Sequence, residues 1–326
     1  MKWYDIRQDR KRWRSWNIII GGRGVGKTYS TIDFMMNQDE PFIYLRNKAT
    51  QIETCCTAFG NPFKKWCKNT GRDVTIKATK DCGLIYENLS EDEKILKGYA
   101  LPLSIFENMR GVDLSDVNYV MFDEFIERDR LKFDQFTGFM NFYETVNRNR
   151  ELEGEPALTV FMLSNAQKLD SPILAGLDLV SQIESMVRTG QRNYSTANIW
   201  LSMPQSAVSE AKKDTALYKI IQGTAYYNEA IENKFANDSF YGVKKQPLNE
   251  FTGYAAIDGI YIYRHKSKNI YYACHTPCTN VPVYDSKVNT MLLYRSFYIT
   301  VAAAYSSGTL FFSDFLAKSR LMDIIR

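Results

Sequence analysis

Short unbroken apolar runs, each ending in glycine or a polar residue, mark the first two hundred residues. Ile18-Ile19-Ile20 runs into Gly21-Gly22, and Pro41 to Arg46, Asn118 to Phe122 and Leu158 to Leu163 have the same form. Runs that are apolar at consecutive positions predict strands buried on both faces, as in a parallel sheet. Helix-compatible stretches separate them: Tyr29 to Asn37, then residues 49–68 with Phe63 and Trp66, then roughly residues 129–150. That alternation predicts an α/β domain with a mainly parallel sheet. A second pattern occupies residues 74–103. Val74 to Thr79, Gly83 to Asn88 and Lys94 to Leu103 are separated by turn residues, which predicts an antiparallel insertion.

The pattern changes at Pro204. Ser206 to Ile221 and Tyr226 to Phe235 are more polar and helical, so residues 205–240 are predicted to form a small helical linker. Beyond it, Ile257 to Tyr263 and Ile270 to His275 flank the polar stretch Arg264 to Asn269, predicting a hairpin, and a mainly helical tail follows. The predicted divisions are 1–204, 205–240 and 241–326, with a smaller α+β domain last.

Composition adds little to this picture. Of 326 residues, 45% are hydrophobic and 24% charged, which are ordinary globular values. No stretch is long and apolar enough for a membrane span. The basic N-terminus lacks the apolar region of a signal peptide, so the expected location is the cytoplasm. The whole net charge of +4 falls in residues 205–326, where 14 Lys+Arg face 10 Asp+Glu. This is a mild signal of a polyanionic partner. The six cysteines are expected to be reduced. Cys274, Cys278 and His265 are poorly spaced for zinc.

The chemistry concentrates at strand ends. Gly21-Gly22-Arg23-Gly24-Val25-Gly26-Lys27-Thr28 fits G-x-x-x-x-G-K-[ST] between a predicted strand and a predicted helix. In such a P-loop, backbone N–H groups and the helix dipole hold phosphates. Lys27 then reaches the β- and γ-phosphates of ATP, and the Thr28 hydroxyl ligates Mg²⁺. The strand Asn118 to Phe122 ends in Asp123-Glu124. Asp123 is placed to hold the metal, and Glu124 to activate a water for attack on the γ-phosphate. Ser164-Asn165 ends a third strand. Asn165 reads either as a sensor of the γ-phosphate or as a loop-entry asparagine.

Other features admit more than one reading. Arg148 and Arg150, near a helix C-terminus, suit the dipole there, or one of them is an arginine finger acting on a neighbouring subunit. Glu127-Arg128-Asp129-Arg130-Leu131-Lys132 is a solvated charge run, or Arg128, Arg130 and Lys132 touch DNA. Lys2 to Trp16, with Trp3, Trp13 and Trp16, either packs one indole face, stacks on a base, docks a neighbouring subunit or binds nucleic acid.

Taken together and in order, Ile-Ile-Gly-Gly-Arg-Gly-Val-Gly-Lys-Thr, Phe-Asp-Glu-Phe-Ile, Thr-Val-Asn-Arg-Asn-Arg and Leu-Ser-Asn-Ala resemble the DNA packaging ATPases of phi29-like bacteriophages. The likeness is strong over residues 17–166, continues through Ile220 to Thr224, and is weak after about 240. It implies an ASCE-type P-loop ATPase that forms a ring, a pentamer in the family, at the portal of a procapsid in the infected host. There it drives double-stranded DNA inward, and a structural RNA is a partner the resemblance leaves open. By motif match Lys27 and Thr28 take Walker A roles, Asp123 the Walker B role and Glu124 that of the catalytic glutamate. Arg148 falls at the trans-acting finger, and Arg23 resembles the additional P-loop arginine of packaging motors. The last domain has few acidic residues: Glu250, Asp258, Asp285, Asp314 and Asp323. The resemblance therefore implies a degenerate RNase H-like fold that binds nucleic acid or portal without cutting. A helicase or loader of the same ATPase class, and a nucleotide-gated assembly protein, remain the alternatives.

Overall fold

The computed structural model describes residues 3–109, 113–127, 131–165, 169, 171–204, 207–224, 227, 242–286, 288 and 295–325. The chain divides into two compact units. One comprises Met1–Ile173 and Thr189–Asn237, the other Leu174–Arg188 and Asp238–Arg326. The described residues 207–224 after Pro204 thus belong with the first unit, residues 174–188 belong with the second, and the predicted helix from Tyr226 to Phe235 lies, save residue 227, outside the described residues.

The first unit is built on a sheet of β1 (Trp16–Ile20), β2 (Phe42–Arg46), β3 (Asp73–Ala78), β4 (Gly83–Asn88), β5 (Lys94–Pro102), β6 (Tyr119–Asp123), β7 (Thr159–Ser164), β8 (Asn193–Ser195) and β9 (Ile199–Ser202). Its order is β3-β4-β5-β2-β6-β7-β1-β9-β8. From β5 to β9 every neighbouring pair is parallel. The central strands are buried at nearly every position because helices cover both faces, so their sequences run apolar without alternation. At the edge, β3 and β4 alternate buried and exposed positions.

Residues 74–103 do form an antiparallel set. They are not a separate insertion, because β5 pairs in parallel with β2 over Phe42 to Arg46 and extends the main sheet. Gly98 allows that approach: a Cβ there would lie 2.2 Å from the Phe42 carbonyl oxygen. The helix predicted over 49–68 is two helices, α2 (Ala49–Cys55) and α3 (Lys64–Thr70). Gly60-Asn61-Pro62 separates them. Pro62 supplies no donor, and Asn61 Oδ1 accepts the Phe63 N–H at 2.8 Å. Around the sheet also pack α1 (Lys27–Met36) and α4 (Gln135–Asn147). Asp134 caps α4 by accepting the Thr137 N–H. Trp13 is packed edge-on against Phe34 and Phe161 at 5.0 and 4.8 Å, and Trp16 against Phe139 and Tyr143. These two indoles are partly buried against the core, whereas Trp3 is exposed.

The second unit contains a sheet of β10 (Phe251–Ile257), β11 (Ile260–His265), β12 (Tyr271–Cys274), β13 (Val283–Tyr284) and β14 (Leu310–Phe312), ordered β13-β10-β11-β12-β14. The run Ile257 to Tyr263, read from sequence as one strand, crosses a hairpin turn. Asp258 (φ 47°) and Gly259 (φ 77°) both take positive φ, the conformation a two-residue hairpin loop needs. The helices Arg295–Ser306 and Phe315–Ile325 bury Phe297, Val301, Leu321 and Met322 against Ile260, Ile262 and Phe312. The unit's carboxylates serve local structure. Glu250 pairs with His265, and Asp258 accepts the Ser286 N–H. Among the described residues no group of three or more His, Cys, Asp or Glu is placed to hold a metal.

Asp314 caps the last helix. Its Oδ1 accepts the Ala317 N–H at 2.9 Å and its Oδ2 the Ser313 hydroxyl at 2.6 Å, and His275 Nε2 lies 3.4 Å away. Burial pushes the carboxyl up, but the bonds from His275, Ser313 and Ala317 outweigh it and hold the pKa at about 2, below its ordinary 3.8. A depressed folded value means that the stabilisation is complete above about pH 4 and is lost as pH falls toward 2. Asp314→Ala should therefore cost about 1 kcal/mol at neutral pH. It should also flatten the fall in melting temperature between pH 4 and 2. An acid limb as steep as that of the parent protein would remove Asp314 from this role.

Candidate functional site: a P-loop at the strand ends

The parallel register sets the carboxyl ends of the central strands side by side. Ile20 is level with Ser164, and Asp123 with Leu163. Gly21 to Thr28 leaves β1 at that edge and α1 begins at Lys27. The turn uses Gly24 at φ 62° and Gly26, the N-cap of α1, at φ 114°. Only glycine holds such angles at little cost.

Lys27 is 6% exposed, and its Nζ donates to the Gly21 and Gly22 carbonyls at 2.9 Å each and to Asn165 Oδ1 at 3.2 Å. Burial brings its pKa down to about 8. Asp123, also buried, accepts the Thr28 hydroxyl at 3.1 Å and the Tyr44 hydroxyl at 3.2 Å. Burial pushes its carboxyl up, against the opposing pull of Arg46. The Ser164 hydroxyl is buried at the same edge with no hydrogen-bond partner in the structure. This hydroxyl and the desolvated Lys27 ammonium line the same cavity, where a polar ligand could satisfy both. Thr28 Oγ1 and Asp123 Oδ1 are hard oxygen donors, the type Mg²⁺ selects, and one hydroxyl plus one carboxylate leaves its other positions for water and phosphate.

Glu124 follows at φ 53°, a positive value that is strained for a residue with a Cβ. Its carboxylate is about half exposed and meets Arg46 Nη2 at 2.6 Å. Its main chain is pinned by Asn47, which is fully buried. Asn47 Nδ2 lies 3.2 Å from Glu124 O and 3.3 Å from Phe125 O, and its Oδ1 accepts Gln135 Nε2 at 2.6 Å. A cavity of about 680 Å³ joins these groups. Arg23 to Thr28, Asp123, Glu124 and Asn165 line it, and so do Trp3, Tyr4, Tyr29, Lys65 and Asn69. Asn69 Nδ2 donates to the Tyr29 hydroxyl at 3.1 Å.

A family model of the podovirus DNA encapsidation protein (Gp16) matches residues 2–258. The chain belongs to that family. The Gp16 match takes in the whole site, from Trp3 to Asn165. The chain is also 24% identical over 332 residues to the DNA packaging protein of Bacillus phage phi29, covering 95% of this chain and 93% of that one. It is 28% identical over 241 residues to the DNA packaging protein of Bacillus phage B103, covering 72% and 68%. A chain of the bacteriophage Phi-29 viral genome packaging motor assembly has the same fold, with TM-score 0.68 and 20% identity over 99% of both chains. So does a chain of the Phi-28 gp11 DNA packaging motor, with TM-score 0.60 and 18% identity over 99% of this chain and 98% of that one.

Within this Gp16 member, Lys27, Thr28, Asp123, Glu124 and Asn165 line one cavity. Arg23 lines the cavity. Arg148 does not: it is the C-cap of α4, about half exposed, at φ 44°, with Asp113 3.5 Å away. Arg150 is buried, donating to Asn118 Oδ1 and Ser115 O at 2.8 and 2.7 Å, so it holds its own chain together. Lys132 is exposed, whereas Arg128 and Arg130 lie outside the described residues. Sequence reasoning missed Tyr44, Arg46 and Asn47. Their signal was available, since Tyr44 and Arg46 lie on a core strand, with Asn47 just past it, that enters the same edge as Asp123 and Asn165.

Asn47→Ala removes the side-chain donor to the Glu124 carbonyl, one of two donors to the Phe125 carbonyl, and one of two acceptors of the Gln135 amide, which keeps its bond to Phe125 O at 2.6 Å. It should lower unfolding free energy by about 2 kcal/mol, the scale for orphaned buried polar groups. Denaturant unfolding at unchanged slope measures this. A loss below about 0.5 kcal/mol, the level of an ordinary surface change, would show that the pin contributes nothing.

Proposed function

We propose that this protein hydrolyses ATP at the P-loop and, as a ring, uses the cycle to move double-stranded DNA into a procapsid. The observation that carries the hydrolytic reading is Glu124, an acid half exposed at the cavity, next to an Asp123 that is already bonded to Thr28. A protein that only binds nucleotide has no use for the second carboxylate. The relatives' names, DNA packaging proteins of Bacillus phages, support the DNA reading.

In this reading the triphosphate lies along Gly22 to Thr28, with Lys27 exchanging its carbonyl partners for phosphate oxygens. Thr28 and Asp123 would hold Mg²⁺, whose charge would offset that of the phosphates. Asn165, already within 3.2 Å of Lys27 Nζ, sits where the γ-phosphate end arrives. Glu124 orients the attacking water and takes its proton. The base lies at the aromatic end of the cavity, toward Trp3, Tyr29 and Asn69.

Glu124→Gln is the direct test. ATP affinity, followed through quenching of the Trp3 indole and checked against Trp3→Phe, should be unchanged. The turnover number should fall at least ~10², the scale of a positioned general base. Turnover at the parent rate would remove Glu124 from the chemistry.

Arg148 lies outside its own chain's cavity and on the surface, where a finger serving a neighbour belongs. Loss of such an arginine costs on the order of 10³ in rate. Arg148→Ala and Lys27→Ala, each inactive alone, should recover part of the ATPase activity when mixed, because some interfaces then pair an intact P-loop with an intact finger. Mixed rings with no recovered activity at any ratio would exclude action between subunits.

A further inference from the structure

The phosphate loop is held from outside at two of its carbonyls. The Lys212 ammonium donates to the Arg23 carbonyl, and the Tyr4 N–H donates to the Val25 carbonyl at 3.0 Å. In a planar trans peptide the C=O and the following N–H point in opposite directions. Fixing Arg23 C=O therefore fixes Gly24 N–H, and fixing Val25 C=O fixes Gly26 N–H. Both are glycines, at φ 62° and 114°, and neither has a side chain to prevent its peptide from flipping.

Both holders press closely on the loop. A Cβ at Gly24 would lie 2.6 Å from Lys212 Nζ, and one at Gly26 2.8 Å from the Tyr4 carbonyl oxygen. Lys212 ends α5 (Ala207–Lys212), in the segment the sequence assigns to a linker. Its ammonium also sits 5.9 Å from the Tyr218 ring, on α6 (Ala216–Ile220). Partial burial strips water from it and lowers its pKa. A desolvated ammonium bonded to a carbonyl is a strong contact, because the charged donor has little water to return to.

We propose that Lys212 is a positioning residue that holds the Arg23–Gly24 peptide with its N–H turned toward the phosphates, so that the helices of residues 207–220 set the competence of the phosphate loop. This rests on the reading of Gly21 to Thr28 as a phosphate site. Movement of those helices releases the peptide and weakens the site, and phosphate binding on the other face of the peptide favours the clamped arrangement in return, as linkage requires.

The test uses the full chain with ATP and with inorganic triphosphate as probes. Lys212→Met keeps the aliphatic stem and removes the donor. It should weaken binding of both probes roughly tenfold or more, the scale of one lost hydrogen bond from a charged group. Lys212→Arg, which can still donate, should restore most of the affinity. In the parent protein the Gly24 amide resonance should shift on addition of triphosphate, and in Lys212→Met this shift should be lost. Parent-like affinity in Lys212→Met overturns the clamp while leaving the phosphate site standing, provided Lys27→Met fails to bind. Triphosphate binding by Lys27→Met as tight as the parent's overturns the phosphate-site reading itself. If Lys212→Met does not fold, the parent protein decides, since a Gly24 amide unmoved by triphosphate overturns the clamp.

Discussion

The parallel hydrogen-bond register of β2, β6, β7 and β1 is the constraint on which the site depends. Each residue of a parallel ladder is fixed along the strand by slanted bonds to its neighbours, so no strand can slide without losing its ladder. Ile20 beside Ser164, and Asp123 beside Leu163, place three chain exits at one edge. Groups from residues far apart in the chain, Lys27, Asp123 and Asn165, then meet without any further device. The apolar bodies of these strands, among them Ile18, Met121 and Phe161 with no exposed surface, make the register costly to change.

At that edge the burial that holds the sheet together works against the charges. It lowers the Lys27 pKa and raises that of Asp123. The polar contacts answer this directly. Lys27 has three acceptors and Asp123 two hydroxyl donors. Glu124 sits just past the strand in a strained conformation of the kind that costs about 1–3 kcal/mol and that only its surroundings can maintain. Asn47 and Arg46, consecutive residues at the end of β2, hold its main chain and its carboxylate respectively. One strand end thus determines where the acid stands.

The loop that faces the cavity is also supported on its outer side. The N-terminal segment reaches Val25 through Tyr4, and its 3₁₀ turn is tied to α1 by the ion pair of Arg7 with Asp33 at 2.9 Å. Lys212 reaches Arg23 from the other end of the same unit. A segment that looks like a connection in the sequence is therefore part of the scaffold of the site.

What the sequence alone determined was whatever depends on neighbours along the chain. The unbroken apolar runs announced buried parallel strands, and the glycine spacing with Lys27-Thr28 announced the glycine loop between β1 and α1. Asp123-Glu124 and Asn165 followed because a strand end is itself a local feature. Where local signals were overlooked, the prediction failed for a visible reason: Gly60-Asn61-Pro62 breaks a helix, and Asp258-Gly259 turns a strand. Tertiary structure decided the rest. That β5 joins the main sheet depends on Gly98 meeting Phe42, more than fifty residues away. That Trp13 and Trp16 pack against the core and Trp3 is exposed depends on which rings surround them. Arg46, Asn47 and Lys212 acquire their roles only from partners distant in sequence. A hydrogen bond between such residues leaves no periodicity and no spacing in the chain, because its geometry exists only once the sheet has brought them together.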